Sequence, residues 1–422
     1  MYLSGSKWSM TRKKKRGNPL RIAILIALVG AAIYFNQFIV PTTPPLFVPT
    51  ATPTRAPESF LSEAVGFASK GKYTQAVTAY QQAIESDPKN VNTYIDLARL
   101  EVLYGDYKKA EEDVSNAVLL NPNHSLALAV QGWAIGRQGD YLSGLAKIDS
   151  AILIDPGNAL AYAYLAEILA AQQTDGKGDL NTIDKATEAS RKAKELNPNL
   201  METRRARGLV LEMTGNYPEA IAEFEEAVKI NDTLADLHLA LGRNYKAVDN
   251  YTQAVDEFNR AIALRATDPQ PYVENALTYL KTGDYPKAIQ YASQAIQQDP
   301  SDPLLHGYLG TIYYRQGDYA NAVSPLRLAT RGGAAESGDQ TVQVKGIPLD
   351  GTSVAIYARF GLALARTGAC SEAIPVSQAI LQAFSTDETN SFNANEIINI
   401  CRSGTSTPEV SDTPVPDPKA KP

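Results

Sequence analysis

The sequence predicts an all-α superhelical solenoid of about nine helix–turn–helix units that ends in a capping helix. The first observation is a tyrosine that recurs every 34 residues, at Tyr73, Tyr107 and Tyr141 and again from Tyr217 to Tyr319. The second is that a small residue follows each of these tyrosines by three positions, and a glycine precedes all but one of them by two. Small residues let helices cross closely, and glycine ends helices. A period of this length with apolar residues at helical spacing is typical of stacked helix pairs.

The N-terminal segment predicts one transmembrane helix, Ile22–Val40, in which only Asn36 and Gln37 are polar. Nineteen residues at 1.5 Å per residue reach roughly 28 Å, close to the thickness of a bilayer's hydrocarbon core. Residues 1–21 form a basic stub with seven cations and no acid, whereas Arg55 is the only cation in the twenty residues after the segment. This asymmetry predicts a single-pass protein of the cell membrane with its N-terminus in the cytoplasm and its body outside.

A cleaved signal peptide is the alternative interpretation of this segment. Ile22–Val29 would then be the apolar region, and Gly30–Ala32 would supply the small residues of a cleavage site. Because hydrophobicity continues well beyond Ala32, we favour the anchor. In both interpretations the body of the protein is exported.

Two proline-rich segments flank the predicted array. Residues 41–57 consist largely of Pro and Thr, which stiffen a chain towards an extended conformation, so we expect a spacer there. Residues 403–422 have a similar composition and predict a disordered tail.

Residues 58–402 are assigned to the repeat array. The units are expected to begin near residues 57, 91, 125, 159, 201, 235, 269, 303 and 354. The fourth unit carries extra residues near 172–182, and an interruption at 332–353 precedes the ninth unit. Residues 388–402 predict a last helix that covers the exposed face of the final unit, as terminal repeats require.

The unit at 201–234 displays the underlying pattern most clearly. Gly208 and Ala220 stand where its two helices would cross, and Phe224 and Ala227 continue the buried face of its second helix. This pattern resembles the tetratricopeptide repeat, a helix–turn–helix module of the same period.

The resemblance implies that the first helix of each unit lines a concave groove that binds a protein or peptide partner. Aromatic and arginine side chains are frequent anchors in such interfaces. The candidate groove residues are Arg99, Trp133, Tyr164, Arg205, Arg243, Lys246, Tyr308, Tyr314 and Arg315. The alternative for each is packing between repeats or, for the cations, simple solvation. The positions through which some relatives clamp a C-terminal carboxylate are not reproduced, for example at Ile95 and Arg99.

The two cysteines are expected to form one disulfide. Cys370 falls in the turn between the helices of the ninth unit, and Cys401 falls at the end of the capping helix. Both therefore belong to the same end of the stack, in a protein expected to meet an oxidising compartment. Two free thiols are the alternative.

The interruption at 332–353 breaks the helical pattern. Thr341–Val344 alternates like a strand, and Lys345-Gly346 is a possible turn back into Ile347–Leu349. This pattern fits a short hairpin on a binding face as well as a plain surface loop.

Charge and motifs exclude several classes of function. The net charge of −6 combines +7 over residues 1–21 with −13 over the rest, and an acidic body argues against nucleic acid as a partner. The sequence holds no Walker loop, no G-x-S-x-G and no H-E-x-x-H, so we expect no cofactor, no metal site, no small-molecule substrate and no enzymatic activity.

The expected function is therefore that of a membrane-anchored scaffold for protein–protein interaction on the extracytoplasmic side. One alternative is a constitutive accessory subunit of an envelope assembly or secretion complex. Another is a soluble exported repeat protein after signal cleavage.

Overall fold

The structure is a computed structural model that describes residues 18–39, 55–337 and 340–404. The chain divides into two units, Met1–Arg55 and Ala56–Pro422. The tail expected at 403–422 lies outside the described residues from position 405 onward. Most of the basic stub and most of the proline-rich spacer also lie outside them.

In the first unit, helix α1 spans Pro19–Tyr34 and continues as a π-helical turn, Phe35–Ile39. The side chain of Asn18 caps α1 by accepting a hydrogen bond from the Leu20 N–H at 3.2 Å. The segment Pro19–Gln37 has a mean hydropathy of 1.8, is fully exposed, and is long and apolar enough to cross a membrane. A signal sequence would meet the same criterion of length and composition.

The second unit is a stack of nine helix pairs followed by a single helix. The first members, here called A helices, are α2 (Pro57–Ala68), α4 (Val91–Tyr104), α6 (Ser125–Arg137), α8 (Ala159–Thr174), α10 (Met201–Met213), α12 (Ala235–Ala247), α14 (Gln270–Thr282), α16 (Pro303–Gln316) and α18 (Val354–Arg366). The second members, the B helices, are α3 (Tyr73–Ser86), α5 (Tyr107–Leu120), α7 (Tyr141–Ile154), α9 (Thr182–Leu196), α11 (Tyr217–Ile230), α13 (Tyr251–Leu264), α15 (Tyr285–Gln298), α17 (Tyr319–Arg331) and α19 (Cys370–Ala383). Every A helix begins within one residue of the start that the repeat phase predicts. The predicted all-α solenoid is confirmed.

The recurring tyrosine is the first residue of a B helix in seven of these pairs. The glycine two positions before it ends the A helix in a left-handed conformation, as at Gly105 (φ 94°) and Gly317 (φ 87°). Asp249 (φ 60°) replaces this glycine once, and a short polar side chain tolerates the left-handed region better than most. The sequence period is therefore the period of the turns.

Small residues lie where the A and B helices of a pair cross. At the crossing of α6 and α7, a Cβ atom on Gly144 would lie 2.7 Å from the Gly132 carbonyl oxygen and 2.8 Å from the Gly136 amide nitrogen. The two backbones touch there, so no larger residue fits without moving a helix. Helices α6 and α7 are thus held at a close and fixed distance.

The array curves so strongly that its first two pairs meet the fifth and sixth. Arg99 on α4 binds Glu202 on α10, and Tyr104 at the end of α4 packs against the buried cluster of α10 to α13. A Cβ atom on Gly71, in the turn of the first pair, would lie 3.1 Å from the Thr233 Cβ before α12. Because these contacts bring A helices together across the curve, the A-helix side is the inner face of the array.

The array ends in helix α20 (Glu388–Ser403), which packs against α18 and α19. Ile397 is fully buried there, and the Ser377 hydroxyl donates a hydrogen bond to the Ala394 carbonyl at 2.6 Å. A disulfide joins Cys370, the first residue of α19, to Cys401 in the last turn of α20. The capping helix is therefore attached to the last pair by packing and by a covalent bond.

Residues between α17 and α18 form a two-stranded antiparallel hairpin, β1 (Gly333–Ser337) and β2 (Gln340–Val344). The expectation that Ile347–Leu349 would be the second strand is wrong, because the pairing strand precedes Thr341–Val344 in the chain. Gly332 (φ 71°) turns the chain out of α17 directly into β1. The Ile347 N–H instead donates to the Ala329 carbonyl at 2.9 Å, which fixes this segment against the end of α17.

Candidate functional site

The inner face of pairs three to five is filled by the protein's own side chains. Trp133 of α6 stacks on Tyr164 of α8 with ring centroids 4.2 Å apart, and its Nε1–H donates to Glu167 Oε2 at 2.9 Å. Arg205 of α10 donates from Nε and Nη2 to the two Glu167 oxygens at 2.8 and 2.9 Å, with its guanidinium 5.1 Å from the Trp133 ring centroid. Three successive A helices are therefore joined through one carboxylate.

Three of the candidate groove residues belong to this cluster and are not accessible. Trp133, Tyr164 and Arg205 are all buried, so the expectation that they anchor a partner is corrected. The physical reason is Glu167, a buried carboxylate that requires a paired cation and further hydrogen bonds. Arginine and tryptophan supply these partners from the neighbouring A helices.

Arg99 has an internal partner as well. Its guanidinium donates to Glu202, three pairs further along the array. Burial would raise the pKa of Glu202, but the Arg99 guanidinium reverses this effect, so the pKa lies below its ordinary value. Glu202 is thus a charged carboxylate under the inner face, and Arg99 neutralises it.

Arg243 and Lys246 link α12 to its two neighbours. Arg243 donates to Glu212 of α10 at 2.8 and 3.2 Å, and Lys246 binds Glu274 of α14. Both cations remain partly exposed, but each already has a carboxylate partner. They therefore hold consecutive A helices together and offer only part of their surface to a ligand.

The acidic partners of these cations were missed by sequence reasoning. Glu167, Glu202, Glu212 and Glu274 all lie on A helices, the same helices that carry the candidate cations. Their positions within the repeat could have revealed them, because Glu167 follows Trp133 by one full period of 34 residues and therefore occupies the same position in the next unit. A groove position that alternates between cations and carboxylates indicates ion pairs between repeats.

The inner face remains open at pairs eight and nine. Tyr314 meets Tyr319 edge to face at 5.4 Å between centroids, and the Arg366 guanidinium lies 4.7 Å from the Tyr319 centroid. Tyr308 is half-buried, and Arg315 is exposed. We give the name carboxy-terminal inner face to four A-helix residues together with Tyr319, which begins α17; the four are Tyr308, Tyr314, Arg315 and Arg366.

The carboxy-terminal inner face combines arginine side chains with tyrosine rings. Burial raises the pKa of Tyr314; Arg366 and Arg359 act in the opposite direction, whereas Tyr319 and Glu396 act in the same direction as burial. Arginine and tyrosine side chains there can donate hydrogen bonds to carboxylates and to backbone carbonyls of a bound chain. Sequence reasoning missed Arg366, which lies in the last turn of an A helix as Arg315 does in the preceding one.

Histidine and acidic residues form no metal centre in the parts of the chain that the structure describes. His238 lies with Nδ1 2.6 Å from Glu257 Oε2 and Nε2 3.0 Å from the Asp232 carbonyl oxygen, so both ring nitrogens are engaged in packing two helices. Its role there is structural.

Two models of repeat families match the sequence. A model described as "Tetratricopeptide repeat" matches residues 273–337, and one described as "TPR repeat" matches residues 67–100. No curated protein matches the chain.

Three solved structures illustrate what the chain is similar to. A tetratricopeptide repeat protein from Parabacteroides merdae is 15% identical, covers 61% of this chain and 98% of its own, and has a TM-score of 0.39. PilW, a type IV pilus biogenesis factor, is 22% identical, with coverages of 48% and 91% and a TM-score of 0.43. PilF from Pseudomonas aeruginosa is 22% identical, with coverages of 49% and 90% and a TM-score of 0.40. At these scores the three structures do not bear on function.

Proposed function

This chain is a tetratricopeptide-repeat protein, and we propose that it is a membrane-anchored scaffold that binds protein partners on the extracytoplasmic side. Arrays of this kind generally serve as non-catalytic modules for protein interaction, because stacked repeats present a long continuous surface. Anchoring such a surface raises its local concentration near other membrane proteins.

The combination of an apolar helix with a disulfide carries the proposal. Helix α1 is fully exposed and apolar, as a lipid-facing helix must be. Six cations lie before this helix and a seventh, Arg21, lies in its first turn, whereas the rest of the chain is acidic. The Cys370–Cys401 disulfide supports an oxidising compartment, since such bonds rarely persist in the cytoplasm. Both observations favour export of the repeat array.

We assign partner binding to the carboxy-terminal inner face. Elsewhere on the inner face, the cations among the candidates are paired with carboxylates of the protein itself, whereas Arg315 is exposed and the neighbouring tyrosines are partly exposed. An arginine beside half-buried aromatic rings is a common composition for an interface anchor. A partner segment that carries carboxylates or free backbone carbonyls suits this surface.

The topology is tested by labelling single introduced cysteines with a membrane-impermeant maleimide. Both native cysteines are in the disulfide, so the reagent reports only the new thiol. We expect Ala263→Cys to react in intact cells and Ser6→Cys to react only after permeabilisation. The reverse order would contradict the proposed side, and loss of residue 6 from the mature protein would replace the anchor with a cleaved signal.

Partner binding is tested in the same cells by placing a photo-crosslinking amino acid at Arg315. The matched control position is Gln297, which is exposed on the opposite side of the array, on α15. We expect a defined crosslinked protein from position 315 and none from position 297. Equal crosslinking from both positions would contradict the assignment to the carboxy-terminal inner face.

A further inference from the structure

The chain leaves the capping helix close to the carboxy-terminal inner face. Helix α20 ends at Ser403, two residues after Cys401, and the disulfide holds the Cα atoms of Cys401 and Cys370 5.5 Å apart. Cys370 follows Arg366 by four residues, across the turn between α18 and α19. At Gly404, the last residue that the structure describes, the chain is therefore close to the end of α18 that carries Arg366.

Residues 405–418, which follow, have the sequence TSTPEVSDTPVPDP and are both acidic and rich in proline. They include Glu409, Asp412 and Asp417, four prolines and no cation. We call them the acidic segment; they lie outside the described residues. Proline favours the polyproline II conformation, which has three residues per turn and a rise of about 3.1 Å per residue. The sequence therefore predicts an extended ligand rather than a helical one.

Two carboxylates of the acidic segment are spaced like two arginines of the carboxy-terminal inner face. Arg315 and Arg366 are each the thirteenth residue of their helices, α16 and α18, which contact each other, so they occupy equivalent places on neighbouring A helices. Packed helices lie about 8–10 Å apart. Glu409 and Asp412 are separated by one turn of polyproline II, so they project from the same side of the chain at a spacing of about 9 Å. One carboxylate can therefore reach each arginine.

Both arginines have hydrogen-bond donors for a carboxylate. Arg315 is exposed. Arg366 is half-buried over the Tyr319 ring and donates to the Tyr319 hydroxyl. A guanidinium has five N–H donors, so this bond leaves others for an incoming carboxylate.

The charge and the aromatic rings around these arginines suit an acidic, proline-rich chain. Arg359 and Arg366 lie close enough to Tyr314 to act on its hydroxyl electrostatically, and so does the carboxylate of Glu396. With Arg315, these cations outnumber that carboxylate, whereas the acidic segment brings three negative charges. Proline-rich chains commonly dock on aromatic surfaces, and the tyrosine rings of α16 lie beside the arginines.

The connection to α20 makes weak docking sufficient. The five steps from Gly404 to Glu409 span up to about 16 Å, which exceeds the spacing of two packed helices. A segment held by so short a linker has an effective concentration in the millimolar range at the sites that it can reach. A dissociation constant of about 1 mM then gives docking for about half of the time.

We propose that the acidic segment docks on the carboxy-terminal inner face of its own chain, with Glu409 on Arg366 and Asp412 on Arg315. The docked segment covers the surface to which we assign partner binding, so it is a tethered competitor of the partner. This regulatory role rests on the proposed function, whereas the docking itself does not. A partner gains access only if it binds more tightly than the tethered segment.

The docking is tested on the purified full chain in detergent, with a photo-crosslinking amino acid in place of Val410, between the two carboxylates. Trypsin releases the acidic segment within one peptide, residues 403–419, because Arg402 and Lys419 flank it. We expect a crosslink from this peptide to α16 or α18 of the same chain, with a yield that does not depend on protein concentration. Crosslinks spread along the array, or formed between chains, would overturn the docking.

The pairing is tested by variants of the same crosslinking protein. Ser411→Asp/Asp412→Ser moves one carboxylate by one residue at constant charge, and we expect the crosslink yield to fall about threefold. Arg315→Glu should lower the yield similarly, and Arg315→Glu/Asp412→Arg should restore it because the charges are exchanged. Circular dichroism should show equal helicity, since Arg315 is exposed. A yield indifferent to all of these variants would contradict the pairing.

The regulatory role is tested in cells with the photo-crosslinker at Gln316, an exposed neighbour that leaves both arginines in place. Glu409→Gln/Asp412→Asn should increase the partner crosslink up to about twofold, because a competitor that occupies the surface half of the time is removed. Partner capture unchanged by this variant would overturn the regulatory role. If the segment docks in the purified chain but neither protein captures a partner, the docking stands and the proposed function is contradicted.

Discussion

The buried carboxyl group of Glu101 shows how one residue makes stability depend on pH. Glu101 lies in the last turn of α4 and is fully buried, with its Oε1 3.1 Å from Lys109 Nζ. Burial, and then the nearby Asp113, raise the pKa of Glu101 to about 8, although Lys109 acts in the opposite direction. The folded protein therefore keeps a proton that the unfolded chain gives up near the ordinary pKa of a glutamate, about 4.3.

We expect the free energy of unfolding to fall as the pH rises from about 5 to about 8, because the folded state binds more protons than the unfolded state in that window. Glu101→Gln keeps a neutral side chain of similar shape at every pH. It should remove this decline and raise the urea midpoint on the alkaline side while leaving the acidic side nearly unchanged. Glu112→Gln, an exposed neighbour on α5, is the control and should follow the unmodified protein. A parallel pH profile for Glu101→Gln and the unmodified chain would contradict the assigned titration.

The residues of the inner face also show where sequence reasoning reached its limit. The start of each A helix was predictable because the turn glycine, the tyrosine and the small crossing residue are determined within one repeat. Whether Trp133 and Arg205 face a partner or each other depends instead on how strongly the array curves. The curvature results from small rotations added over several repeats, so it cannot be deduced from the sequence of a single repeat. Arginine and tryptophan at groove positions are therefore compatible with an internal ion-pair network as well as with an interface.

Of the two strands in the hairpin, the sequence predicted β2 but not its partner β1. Alternation in Thr341–Val344 indicated a strand, but its partner depended on where the chain leaves α17. Gly332 allows that exit because its positive φ is rare for other residues. Sequence periodicity does not contain this information, since a strand can pair with a segment on either side of it in the chain.

The capping helix α20 is the element whose stability depends most directly on the disulfide. On its inward side, Ile397 is fully buried in the cluster of the last pair and lies beside Gly361 of α18. The bond between Cys370 and Cys401 closes a loop over a sequence separation of 31 residues. On the chain-entropy model such a loop stabilises the folded state by roughly 3–4 kcal/mol.

We expect Cys370→Ser/Cys401→Ser to release α20 before the rest of the array unfolds, because each pair contacts mainly its neighbours. Hydrogen exchange should accelerate in α18, α19 and α20 and stay unchanged in α4 to α8. The same protein with the disulfide intact, measured with and without reductant, is the control for the loss of the bond alone. Uniform acceleration along the whole array would contradict local release of the cap.

At the scale of the whole array, the contact between the first two pairs and the fifth and sixth sets which surfaces a partner can reach. Arg99 and Glu202 close the curve from one side, and Gly71 and Thr233 meet at its edge. With the curve closed, the cluster of Trp133 and its neighbours is shielded on the inner face. Access for a partner is then confined to the later pairs, in agreement with an exposed Arg315.

A designed crosslink tests this closure directly. A Cβ atom on residue 71 would lie 3.1 Å from the Thr233 Cβ, slightly closer than the usual 3.5–4.5 Å of a disulfide, so a small adjustment suffices. We expect Gly71→Cys/Thr233→Cys to form an intrachain disulfide under mild oxidation, detected by mass spectrometry of the full chain.

A non-glycine residue in the left-handed conformation costs about 1–2 kcal/mol, and the control must carry the same cost. Gly105→Cys/Thr233→Cys meets this requirement because Gly105 is also left-handed, but its Cβ position has no neighbour within 4 Å. Failure of both pairs to link, with helicity retained, would indicate an open array in solution.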